Sequence, residues 1–242
     1  MGHLFVISLW LFWAVSAIQI PQGTIIPVSL STSVDSEKDK PGKRLSAKVG
    51  QDVPVPGGKI RQGTRLEGRI VSIDQAAHTV VLEFDTVRMK HQTIQIRTSV
   101  RAMAAPTDVD SAQLPINNID DRGSPSSAWT TRQVGGEIVY RGGGHVLAGM
   151  RPVGEPVPDG ILARLRPANK LPCLGETYGN ETPLMALWVF STDACGVYGI
   201  SGLEITHDGR TEPVGQFALT TEKKKVHLYQ GTGILLRVLP QE

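Results

Sequence analysis

The chain has 242 residues, Lys+Arg 25 against Asp+Glu 23 for a formal net charge of +2, and Gly 26 and Pro 16 against 5% aromatic residues. A near-neutral balance with scattered basic residues excludes the basic stripe of a nucleic-acid binder. The glycine and proline content and the short apolar bursts exclude a long-helix architecture and favour strands and turns in one or two domains.

From Leu4 to Ala17 the chain is an apolar run that ends in Val15-Ser16-Ala17, a pattern resembling a signal-peptidase site, so residues 1–17 read as a cleaved export signal. The run is shorter than the roughly 20 residues a membrane-spanning helix needs, and Pro21 and Gly23 would end any helix soon after it. No transmembrane span is expected in the mature chain. An uncleaved anchor is the competing reading, because the segment before the run has neither Lys nor Arg. No cysteine follows, which excludes a lipid anchor. Export implies the periplasm or outer cell envelope. There the two cysteines, Cys173 and Cys195, are expected to form a disulfide, worth roughly 3 kcal/mol in the chain-entropy picture. A metal site built on both thiols with His207 or His145 is the alternative, and no C-x-x-C or H-x-x-x-H spacing favours it. No metal and no cofactor are expected.

Residues 18–101 read as a small β-barrel. Thr24 to Thr32 is β-branched and alternating, and the charged run Asp35 to Lys40 with Pro41-Gly42 ends that strand. Arg44 to Val49 sets Leu45, Ala47 and Val49 against Arg44, Ser46 and Lys48. Val53 to Ile60, with Pro54, Pro56 and Gly57-Gly58, predicts an edge strand and a tight turn. In Arg61 to Ile73, Gly63 and Gly68 mark places where a strand can bend or another backbone can approach closely. Val80, Leu82 and Phe84 alternate with Val81, Glu83 and Asp85, and Ile94 and Ile96 with Gln95 and Arg97. With Arg88 to Gln92 as the connection, these predict a hairpin with one wet and one dry face.

The run Pro21-Gln22-Gly23-Thr24-Ile25-Ile26-Pro27-Val28-Ser29-Leu30, then Asp35-Ser36, Pro41-Gly42, a strand ending at Val49, Asp52-Val53 and Gln62-Gly63-Thr64-Arg65-Leu66-Glu67-Gly68 resembles the β-barrel domain of TrbI-type proteins. These build the outer-membrane core complex of conjugation and type IV secretion machines. The resemblance covers about residues 20–100 and implies a barrel fold and an envelope setting. The whole chain is similar to exported bacterial proteins that join this domain to a distinct C-terminal one.

Residues 102–133, rich in Ala, Pro, Asp, Ser and Asn, read as a linker or mobile loop with a short helical piece over Val109 to Leu114. Residues 134–242 read as a second β-sandwich or barrel-like domain. Gly135 to Gly149 predicts two short strands around a glycine turn, and Gly142-Gly143-Gly144 is not a phosphate loop because it lacks Gly-Lys-(Ser/Thr). Met185 to Tyr198 reads as a buried strand. Leu203 to Thr206, Val214 to Leu219, Val226 to Tyr229 and Ile234 to Val238 follow as short strands.

No catalytic set converges in this pattern, and the expectation is an all-β, non-catalytic envelope protein that binds a protein partner or itself. Ser191, Asp193 and His207 are triad residue types without a strained elbow around the serine. His78, His91, His145 and His227 are dispersed on turns or wet faces. Lys223 to Lys225 is a basic hairpin tip, and Asn180-Glu181-Thr182 fits a glycosylation sequon. The alternative is an envelope enzyme or a binder of cell-wall sugars or peptides using the C-terminal half, with Trp188, Asp193 and His207 as its candidates.

Overall fold

Short runs of period-two alternation broken by glycine turns lay the chain out as strands. In the computed structural model these are β1 (Ile25–Leu30), β2 (Val34–Asp35), β3 (Arg44–Val49), β4 (Val53–Val55), β5 (Gly58–Ile60), β6 (Arg65–Asp74), β7 (Thr79–Arg88), β8 (Thr93–Gln95) and β9 (Thr98–Ala104), followed by helix α1 (Pro106–Gln113). A middle group comprises β10 (Glu137–Val139), β11 (Val146–Ala148), β12 (Arg151–Pro156) and β13 (Leu162–Leu165). The last group is β14 (Gly196–Tyr198), β15 (Leu203–His207), β16 (Gln216–Thr221), β17 (His227–Leu228) and β18 (Gly233–Val238). The structure describes residues 19–113, 133–135, 137–139, 146–148, 151–156, 162–165, 187–191 and 194–241. Among them no helix is long and apolar enough to cross a membrane, and the expected export signal lies outside them.

Among the described residues the protein is all-β apart from α1. A 10-stranded sheet in the order β14-β9-β18-β1-β3-β6-β7-β16-β15, with β8 on β7, curls into a nearly closed barrel. Its neighbours are antiparallel, except that β14 runs parallel to β9. β10-β13-β12-β11 form a separate 4-stranded sheet, and β4-β5 and β17-β2 are two-stranded ribbons.

The strands expected to build a second sandwich or barrel are therefore shared out. Those within 137–165 make the small sheet. Of those within 196–238, β14, β15, β16 and β18 enter the sheet begun by 25–104, with β18 inserted between β1 and β9 and β16 along β7, while β17 pairs with β2. A sheet edge with one dry face needs a matching strand. β16 supplies one to β7, pairing Phe217 with Leu82 and Leu219 with Val80.

Alternation fills the barrel as expected. Val80, Leu82 and Phe84 are fully buried beside Leu45, Leu66 and Ile70, and the Phe84 ring stacks on Phe217 with centroids 6.3 Å apart. The outward face of β1, β9 and β18 is buried too. Ile25, Ala102, Ala104 and Leu235 there pack in one cluster with Val109 of α1 and with Val134, Leu187 and Phe190. Ala102 and Ala104 fall where the linker was expected. They belong to β9 because small side chains let this cover approach while the backbone pairs with β14. α1 opens with Pro106, whose missing N–H costs nothing at the first helical position. The other linker residues, 114–132, lie outside the described residues.

Met185 to Tyr198 differs from the expected single strand: Trp188 has φ 52°, Phe190 makes an isolated bridge with Val134, and only Gly196–Tyr198 is a strand. A bulky residue in the left-handed region interrupts any extended run.

Among the described glycines, Gly68 has the backbone neighbour nearest to where a Cβ would stand. It sits at a bulge in β6 opposite β7, and a Cβ there would overlap the Glu83 carbonyl oxygen. Gly68→Ala should destabilise the protein by roughly 1–3 kcal/mol through overpacking, measured by urea unfolding. An unchanged midpoint would contradict the close approach.

Candidate functional site

Alternation continues into the segment between β16 and β18. Val226 and Leu228 are fully buried, so His227 and Tyr229 project to the other side, after a bend that carries Lys223 to Lys225. β17 is held by β2 in the register His227↔Asp35 and Leu228↔Val34. Ser36 completes the join, its N–H donating to the Val226 carbonyl at 3.0 Å and its Oγ accepting from the Val226 N–H at 3.1 Å.

Asp35 organises the charges here. Its Oδ2 accepts a hydrogen bond from Lys225 Nζ at 2.9 Å and stands 3.3 Å from His227 Nδ1, and its Oδ1 accepts from the Glu37 N–H at 3.1 Å. Lys225 also reaches Glu37 at 3.4 Å. The hydrogen bond from Lys225 holds the Asp35 carboxyl below its ordinary value, against the opposing effect of burial, and Asp35 in turn raises Lys225. The neighbouring Asp39 is paired with Lys43 at 2.8 Å.

Beside this ridge lies a hollow of about 230 Å³. Ala105 and Pro106 at the start of α1 form one wall, Gly199, Ile200 and Ser201 between β14 and β15 another, and Lys223, His227, Tyr229 and Thr232 the rest. Tyr229 is the large apolar side chain exposed among the described residues, at 62%. Its ring lies 4.2 Å from that of His227, tilted by 39°. Thr232 is fully buried, and its Oγ1 has no hydrogen-bond partner. The site thus offers an exposed aromatic ring, an imidazole steered by a carboxylate, a lysine and a buried hydroxyl. Such groups bind and orient. Among the described residues no group of three His, Cys, Asp or Glu side chains is placed to hold a metal.

The residues singled out from sequence lie elsewhere, apart from the basic tip and His227. Trp188 packs its ring over Gly50 at the end of β3, and its backbone N–H donates to Gln51 Oε1 at 2.7 Å. His207 is on β15 opposite Ala218, with a buried Nε2 that meets no partner. In the barrel order β6, β7 and β16 stand between those strands on one side, and β1, β18, β9 and β14 on the other. Ser191 is buried with an unpartnered Oγ. His78 is in a turn with φ 50° and His91 is exposed. Cys195 is not a free thiol, and its N–H donates to the Tyr198 hydroxyl at 3.2 Å. Cys173, Asp193, His145, the sequon at Asn180 and the tract Gly142 to Gly144 lie outside the described residues. Tyr229, Thr232 and Asp35 were missed as site residues. The alternation of Val226 and Leu228 with His227 and Tyr229 was the available signal.

No protein-family model matches the chain, and no curated protein matches it.

The ridge makes stability depend on pH. Asp35 is lowered from 3.8, so its stabilisation is complete above that value and fades as pH falls through the lower folded value. Glu83, raised by burial from 4.5, acts in the opposite sense: its stabilising contribution is present at low pH and is lost as pH rises through the folded value. Asp35→Asn should be less stable than the parent at pH 6, and the gap in urea midpoint should narrow as pH falls below 3.8. A gap that is constant with pH would contradict the Lys225–Asp35 pair.

Proposed function

We propose that this chain is an exported, non-catalytic protein of the cell envelope that acts as a structural and interaction module. It docks a protein partner on the barrel face that carries Tyr229, within an assembly of the secretion or conjugation type. The observation that carries the reading is Tyr229 itself. It is 62% exposed beside a hollow walled by Pro106 and Ile200, in a protein whose other large apolar side chains are buried or half-buried among the described residues. Tyrosine is among the residues on which interfaces concentrate binding energy, because the ring buries apolar area while the hydroxyl finds a partner.

The apolar leader supports export, and the resemblance to TrbI-type barrels supports the envelope assembly. A bridge between Cys173 and Cys195 belongs to the same proposal, since an oxidising compartment would form and keep it.

A photo-crosslinking amino acid at position 229 should capture an envelope protein in cells. The same probe at Arg61, an exposed turn residue after β5, should capture none. Protein from that fraction, denatured without reduction, should titrate almost no free thiol. Equal capture at both positions would contradict the docking face. Recovery in the cytoplasmic fraction with two free thiols would contradict export. Capture of a second copy would assign the face to self-association and overturn the docking of a separate partner.

A further inference from the structure

Cross-strand register gathers charges that the sequence scatters. Lys48 of β3 stands opposite Arg65 of β6, and Arg65 stands opposite Arg88 of β7. Their neighbours Ala47, Leu66 and Val87 are buried in the barrel, so the three cations share its outer face, where all are exposed. Directly opposed side chains are about 5 Å apart, and like charges so placed destabilise a sheet. A second row along β3 and β6 sets Arg44 opposite Arg69. Neutral polar side chains at these positions would avoid the repulsion, so the rows are not explained by folding.

The carboxylates on this face fall short of the cations. Glu67, between the two rows, accepts from Arg88 at 2.7 Å and lies 3.8 Å from Arg65. Glu83 takes Arg69 at 2.7 Å, and Asp85 beside it accepts from the Thr86 hydroxyl at 2.7 Å. Lys48 and Arg44 meet no carboxylate within salt-bridge distance among the described residues. Beyond the Lys48 end of the strands, Arg61 and Lys90 are exposed in turns, while Asp52 there is taken by Lys59.

The shape of the face decides among anionic partners. β3, β6 and β7 are each paired on both sides, so no free edge takes up an extended peptide. The face is the convex outside of a barrel. Between its cation rows stand Ser46, Glu67 and Thr86, which give a nucleic-acid base no aromatic ring to stack on. A leaflet of anionic headgroups needs neither edge nor groove, and it attracts each Lys or Arg near its surface.

We propose that Lys48, Arg65 and Arg88, with Arg44 and Arg69 behind them, hold the barrel against the anionic headgroups of a membrane leaflet. β3 and β6 lie in the middle of the sheet order, and β14 and β15, whose connection walls the Tyr229 hollow, lie at its ends. In a nearly closed barrel the membrane face and the Tyr229 face are therefore on different sides. The protein rests on lipid by one and leaves the other free for its partner.

The test is flotation of the full chain with vesicles of phosphatidylcholine alone and of phosphatidylcholine with phosphatidylglycerol. Attachment through the apolar leader is common to both, so the excess on the anionic vesicles is the quantity read. That excess should be present at about 0.1 M salt and vanish at about 1 M, where the screening length is about 3 Å. Lys48→Gln, Arg65→Gln and Arg88→Gln combined should weaken anionic binding about a hundredfold, at roughly fivefold per cation. Lys38→Gln, Lys223→Gln and Lys224→Gln combined, which remove equal charge from exposed positions elsewhere, should weaken it by no more than about fivefold. Lys48→Glu alone sets a carboxylate opposite Arg65, so the urea midpoint should hold or rise while binding weakens at least about fivefold. Equal binding to both vesicle types, an excess that survives the high salt, equal loss from the two triple variants, or a Lys48→Glu protein that binds as the parent does would overturn the proposal. Equally tight binding of polyglutamate or duplex DNA would also overturn it, by making an acidic protein or a nucleic acid the occupant. Vesicle binding without capture at position 229 would leave this proposal and remove the docking reading. Capture without vesicle binding would do the reverse.

Discussion

The pairing of β7 with β16 is the contact on which the rest of the structure depends. It joins residues 141 apart in sequence, Thr79 and Thr220, whose hydroxyls lie 2.8 Å apart at one end of the ladder, and it sets the Phe84 and Phe217 rings against each other inside the barrel. Without β16, β7 would present a dry-faced edge to water, and without β18 the sheet would be open between β1 and β9. Loop-closure entropy grows only slowly with length, about 0.6 kcal/mol per doubling. A long intervening stretch is therefore compatible with a barrel assembled from both ends of the chain. The candidate site follows from this arrangement. Residues 222–232 connect two strands that are both locked into the sheet, so β17 is pressed onto β2 and the alternation of 226 to 229 is given a fixed outward side.

Local structure was largely legible in the sequence, and its assembly was not. The strands at Arg44 to Val49, at Val53 to Ile60 with its turn, and at Val80 to Phe84 were visible because period two reports which face is dry. Gly68 was visible as a close-approach position. Which strand covers which edge is a long-range matter, and Phe217 and Leu219 would suit a barrel of their own as well as they suit β7. Ala102 and Ala104 read as linker because small residues carry little pattern, although in the structure their smallness is what admits the cover from α1 and residues 187–190. Glu83 was assigned to a wet face by alternation, yet it is 8% exposed and paired with Arg69 at 2.7 Å.

The site was legible only in part. The basic tip and His227 were noticed singly, while Asp35, the group that steers them, lies in what the sequence presents as a charged turn closing the first strand. Acid and imidazole meet because β2 pairs with β17. Trp188 and His207 drew attention by residue type, but the tryptophan packs over Gly50 and the histidine stands on the strand at the sheet's end, away from the hollow. Residue chemistry alone overstates such groups until the topology shows what they face.

Native-state hydrogen exchange is the most direct test of a barrel closed by both parts of the chain. The ladder amides of β7 over 79–83 and of β16 over 216–220 should share one opening free energy and lose protection together as denaturant is added. Two separate opening free energies, with β16 and β18 exchanging as a unit while β1 to β7 stay protected, would contradict it.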